Sequence, residues 1–144
     1  MEIKSLRFIA TEADLNHLVA TLLTPPPKVR DLVIRVMPDG LSVMGVYETL
    51  LPIPFESFWQ ISVGDGKVAA RFSGIKALGV TVDFLKTYIL NALHPNTIKL
   101  ELRDETFFLD VDRFLAETTV PIQTNLTSVR CEMGQLVIEC GHVG

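Results

Sequence analysis

The sequence predicts an α+β domain: a strongly curved antiparallel sheet wrapped around one or two amphipathic helices. Three observations lead there. Apolar and polar residues alternate through the middle of the chain, residues 30–76, as in half-buried strands. Two stretches, 11–23 and 81–93, instead repeat their apolar residues at helical spacing. Strands outnumber helices and do not alternate with them regularly, which argues against a parallel α/β sheet. At 144 residues the chain suits a single domain.

Taken in order, residues 3–8 open as a short strand. Thr11 and Asp14 then frame a helix start, a hydroxyl cap answered by an acid three residues on. Leu15, Leu18, Val19, Leu22 and Leu23 follow on one face, and Pro25-Pro26-Pro27 stops the helix because three successive residues lack an N–H. From Val29 the period falls to two. Leu32, Ile34 and Val36 share a strand face, and Pro38-Asp39-Gly40 turns the chain. Residues 41–47 return it, with Gly45 where a bulge or bend is tolerated. Strand 55–63 meets its partner, 68–75, through Asp65-Gly66, a strong two-residue hairpin signal.

A second helix is predicted over 81–93, with Phe84, Leu85, Tyr88, Ile89 and Leu93 on a wide apolar face, stopped by His94-Pro95. Leu100 and Leu102 then alternate with Glu101 and Arg103 in a half-exposed strand. Residues 107–110 form another, running into a short helix over 111–117. Residues 126–133 and 135–139 close as a hairpin around Met133-Gly134.

Charge and motif narrow the function. Acidic residues outnumber basic ones, 17 to 13, for a net charge of −4, and Lys and Arg never cluster. A nucleic-acid partner is therefore not expected. No run approaches the ~20 apolar residues of a membrane span, so no transmembrane segment is expected. The first residues show no basic leader before an apolar stretch, which reads as a cytoplasmic protein. The closing hairpin would place Cys131 opposite Leu136 and Cys140 four residues further on, too far apart for a bridge. Both read as small buried apolar residues.

No G-x-S-x-G, Gly-rich phosphate loop, C-x-x-C or H-E-x-x-H is present. His17, His94 and His142 are scattered, without carboxylates at ligand spacing, so no metal and no cofactor are expected. Asp110 and Asp112 would share a strand face as an acid/base pair, but capping the 111–117 helix is the stronger reading. The chain is expected not to be an enzyme and to have no catalytic residues.

What remains is apolar. Hydrophobic residues make up 48% of the chain and charged ones 21%, below the usual ~25%. This surplus concentrates in the 81–93 helix and the 55–72 hairpin. Phe55, Trp59 and Ile61 share one strand face, and Val68, Ala70, Phe72 and Gly74 alternate opposite. A sheet curved over two helices would leave a gap lined by such side chains, the usual make-up of an apolar ligand site.

The early amphipathic helix, the strand 29–36, Pro-Asp-Gly-Leu-Ser-Val-Met-Gly at 38–45, and the hairpin 61–72 form a recurring pattern. It is completed by a helix start near Gly79, by Gly134-Gln135-Leu136, and by Ile-Glu-Cys-Gly at 138–141. In these features the chain resembles bacterial single-domain proteins of the tubular lipid-binding (TULIP) superfamily. The resemblance implies a bent antiparallel sheet around a long helix, with an elongated cavity for acyl chains. The expected function is thus binding of a lipid or other elongated apolar molecule. Leu15, Leu18, Leu22, Leu85, Ile89 and Leu93 would line the site from the helices, and Phe55, Trp59, Ile61 and Phe72 from the sheet. The alternative is an interaction module, such as a homodimer, that uses the same surplus as an interface.

Overall fold

The computed structural model describes residues 5–24, 28–48, 50–77, 80–81, 86, 90, 94–95, 100–110 and 125–141. Its elements begin with β1 (Ser5–Thr11), helix α1 (Glu12–Leu22) and a two-residue strand, β2 (Leu23–Thr24). Four longer strands follow: β3 (Val29–Met37), β4 (Gly40–Glu48), β5 (Pro52–Gly64) and β6 (Lys67–Ala77). After the two-residue strands β7 (Val80–Thr81) and β8 (His94–Pro95) come β9 (Leu100–Arg103) and β10 (Thr106–Leu109). Strands β11 (Asn125–Glu132) and β12 (Gln135–Gly141) complete the order.

Two antiparallel sheets dominate. The larger has strand order β3-β4-β5-β6-β10-β9, a meander over its first four strands, and β7 pairs with the end of β6. The smaller sheet has order β1-β12-β11, and a short bridge joins β2 to β8.

The local signals explain these elements. At the start of α1 the Thr11 hydroxyl accepts the Asp14 N–H at 3.2 Å, while the Asp14 carboxylate accepts the Thr11 N–H at 2.9 Å. The Thr11 backbone N–H first, and the Thr11 hydroxyl second, hold the Asp14 carboxyl below the usual aspartate range. Asp65 (φ 53°) and Gly66 (φ 71°) both take the left-handed conformation that the tight β5–β6 turn requires. The irregularity tolerated at Gly45 lies on its β3 side: the β3–β4 register breaks there, between the Arg30–Val46 and Val33–Met44 pairs, while β4 pairs with β5 without a break. Glycine is needed there because the Phe55 ring lies close to where a Cβ would be, 2.8 Å from Phe55 Cζ.

The sheet-around-helices arrangement is not what forms. Among the described residues the one complete helix is α1, just 11 residues long, and the large sheet does not close into a barrel. Strand β12 alternates Leu136, Ile138 and Cys140 toward Ile34, Val36 and Val68 of the large sheet, joined by Leu126 of β11 and Leu15 of α1. A second sheet therefore supplies much of the cover expected from helices. The other half of the same face, around Phe55, Trp59, Phe72, Ile75 and Phe107, packs against Leu90. Thr81, predicted as the start of the second helix, is a strand residue opposite Lys76. Apart from Lys86 and Leu90, residues 82–93 lie outside the described residues, as does the predicted 111–117 helix.

Helix α1 lies along the outer edge of β3 and satisfies it. The Asn16 side-chain amide accepts the Ile34 N–H at 2.7 Å and donates to the Ile34 carbonyl at 3.3 Å. The Glu12 carboxylate accepts the Val36 N–H at 2.9 Å, and the Gly134 N–H donates to the Val36 carbonyl at 2.9 Å. Edge groups that would otherwise invite another strand are thereby occupied. Replacing Asn16 by alanine is expected to cost about 2 kcal/mol, because two part-buried backbone groups lose their partner at once. Urea unfolding checks this, and an N16A midpoint equal to that of the parent would contradict it.

Candidate functional site: an apolar cavity between the sheets

The inner face of the large sheet is built by register. Leu41 lies opposite Trp59 and Trp59 opposite Phe72. One row further, Ile61, Ala70, Phe107 and Leu102 line up across β5, β6, β10 and β9. Beyond it come Val68, Leu109 and Leu100. Strand alternation puts all of them on one face.

Between this face, α1 and β12 lies a cavity of about 170 Å³. Its wall, among the described residues, is formed by Leu15, Leu18 and Val19 of α1, Leu136 of β12, and inward positions of the large sheet from Val29 to Leu109. Seventeen of these eighteen residues are apolar; the exception is Ser57. Its hydroxyl donates to the Val43 carbonyl at 3.0 Å and accepts the Trp59 indole N–H at 2.9 Å. The two polar groups of the wall thus satisfy each other, and neither is directed at an occupant. A cavity of this lining holds water poorly, since water needs two to four polar partners.

The cavity brings together Leu15, Leu18, Phe55, Trp59 and Ile61 of the predicted site. Phe72 does not line it. Its ring stands edge-on to Trp59 at 5.4 Å and 89°, in the adjoining core. The Leu22 side chain and residues Leu85, Ile89 and Leu93 lie outside the described residues. Ile34, Val43, Val68, Leu100, Phe107 and Leu109 join the wall without being among the predicted lining. Their signal is strand alternation, which marks a face but not the part of that face left unfilled.

A bulge also changes the expected pattern in β6. The register slips between the Phe58–Gly74 and Trp59–Phe72 pairs. Phe72 and Ile75 consequently both face inward, and Gly74, expected beside Phe72, does not.

Among the described residues the cavity wall holds no titratable side chain. Among the described residues no three His, Cys, Asp or Glu side chains are placed to hold a metal ion. Cys131 and Cys140 are not bridged to each other, and Cys131 lies opposite Leu136 as the hairpin signal predicts. Burial, with the Asp39 charge second, pushes the Cys131 thiol up, away from the reactive thiolate. Asp112, the predicted partner of Asp110, lies outside the described residues. No described helix is long and apolar enough to cross a membrane.

No known family, no curated protein and no solved structure matches the chain. The resemblance to tubular lipid-binding proteins therefore rests on patterning and turn positions alone.

Proposed function

We propose that the protein binds a lipid or another elongated apolar molecule in this cavity and performs no chemistry on it. The observation that carries the reading is the wall, apolar throughout except for a hydroxyl whose bonds are already made. An apolar cavity of ~150 Å³ can stay dry and take up a benzene. The cavity here, about 170 Å³, suits a ring or a short length of acyl chain, with a longer ligand placing one end inside. Affinity would follow the apolar area removed from water, at roughly 25 cal/mol per Å². Such binding discriminates by shape more than by chemistry.

The interface alternative has less support. Large exposed apolar side chains among the described residues are Ile9, Val33, Leu50, Leu51, Val63 and Met133. They sit on separate strands and turns, and only Leu50 and Leu51 are neighbours in sequence. A contiguous face is what an interface needs.

Trp59 is the single tryptophan and forms part of the wall, so its emission reports occupancy directly. Titration with dodecan-1-ol is expected to give a saturable change in emission, and native mass spectrometry of protein from cells an extractable apolar mass. A ligand-free mass spectrum together with unchanged Trp59 emission would overturn the proposal.

A further inference from the structure

Strand β5 departs from its own pattern at one buried place. Phe55, Ser57, Trp59 and Ile61 follow one another along the inner face and all line the cavity. Ser57 is only 2% exposed, a hydroxyl set among large apolar side chains. Alternation asks for an apolar residue there, because burying a hydroxyl is unfavourable unless its hydrogen bonds are made. The other buried polar residue among those described, Ser42, does not line the cavity, and its hydroxyl donates to the Glu56 carboxylate at 2.7 Å.

The Ser57 hydroxyl stands between one donor and one acceptor of the wall. It accepts the Trp59 indole N–H at 2.9 Å and donates to the Val43 carbonyl at 3.0 Å. An indole has a single N–H to give, and Ser57 takes it. Among the described residues no buried side-chain nitrogen or oxygen lacks a partner. What the wall keeps for an occupant is a second lone pair on the Ser57 oxygen. Without that oxygen, the same wall would present both the indole N–H and the Val43 carbonyl.

We infer that Ser57 sets the specificity of the cavity. By holding the Trp59 N–H and the Val43 carbonyl to itself, it confines the inserted part of a ligand to hydrocarbon. An amphiphile then enters tail first and keeps its polar end outside. This rests on the apolar-ligand reading above and names which part of the ligand that site accepts.

Toluene and phenol are nearly equal in size and differ by a methyl exchanged for a hydroxyl. Calorimetry on the full chain is expected to show the parent binding phenol at least about tenfold more weakly than toluene, because the phenol hydroxyl leaves water for incomplete pairing. In Ser57→Ala the vacated oxygen position lies in the cavity wall. A phenol hydroxyl placed there can accept the Trp59 N–H and donate to the Val43 carbonyl, as the serine does. The preference for toluene over phenol should therefore fall about tenfold, and phenol should raise the Tm of S57A more than that of the parent. Ser57→Thr, which keeps the hydroxyl, should keep the parent preference. A purely structural role for Ser57 would lower the stability of S57A and leave the preference where it was, which overturns the inference. So does an S57T protein that accepts phenol as S57A does. Parent protein that binds phenol as tightly as toluene overturns it without recourse to any variant. All three results leave the apolar site standing. If the parent takes up neither toluene nor dodecan-1-ol, the proposed function itself fails.

Discussion

Phenylalanine in place of Ala70 is expected to abolish uptake of apolar ligands while the protein stays folded. Ala70 faces inward between Ile61 and Phe107, and all three line the cavity. An added ring is about the size of the benzene that a ~150 Å³ cavity can accept, so A70F would fill most of the space with a covalently held occupant. Affinity for dodecan-1-ol should fall at least about 100-fold, the equivalent of ~2.7 kcal/mol. Stability responds to two opposed effects. Filling a void recovers packing, while a ring in an imperfectly shaped space forces side chains off their rotamers, at a cost of ~1–3 kcal/mol. A net change within about 2 kcal/mol of the parent is expected. A folded A70F protein that binds dodecan-1-ol as well as the parent would place the ligand elsewhere.

The second large effect is on folding. Gly40 has φ +146°, and a Cβ built on it would lie 2.3 Å from the Trp59 carbonyl oxygen. That oxygen belongs to the backbone of β5 and cannot turn aside as a flexible side chain would. Gly40→Ala must strain φ and also part β4 from β5 at the Leu41–Trp59 pair. A loss of about 3 kcal/mol or more is expected, or roughly 10 °C in Tm. Gly74 provides the control: nothing lies within 4 Å of its added Cβ. Gly74→Ala should stay within about 0.5 kcal/mol of the parent. Chemical unfolding of both variants decides the matter, and a G40A midpoint at the parent value would refute the close approach.

Much of the chain announces itself locally. Thr11 and Asp14 form the capping pair their spacing predicts. Asp65-Gly66 makes the tight turn, and the 126–139 segment closes around Met133-Gly134 with Cys131 opposite Leu136. Each depends on a few adjacent residues, so composition and spacing suffice. Leu15, Leu18, Phe55, Trp59 and Ile61 of the predicted lining meet at the cavity because helical and strand periodicity also operate at short range.

The arrangement of layers was not legible in the same way. An apolar strand face looks identical whether a helix or another sheet covers it, and here β12 supplies cover expected from helices. Nor does alternation foresee the β6 bulge, which turns Ile75 inward and Gly74 out. Lys86 and Leu90, absent from the predicted apolar face of 81–93, are the two described residues of that stretch that reach the sheet's core.

By itself, then, the sequence determined the longer strands, the tight turns, the capped first helix and the apolar character of one sheet face, but not the two-residue strands β2, β7 and β8. Propensity, capping and turn chemistry act between near neighbours and leave their marks in order along the chain. Only the tertiary structure decided that β1 would pair with β12, joining Ser5 to Gly141, and that Leu15 and Leu136 would line one cavity. Those contacts join residues separated along the chain. They are selected by which faces can be buried together once the whole chain has closed, a competition no local pattern records.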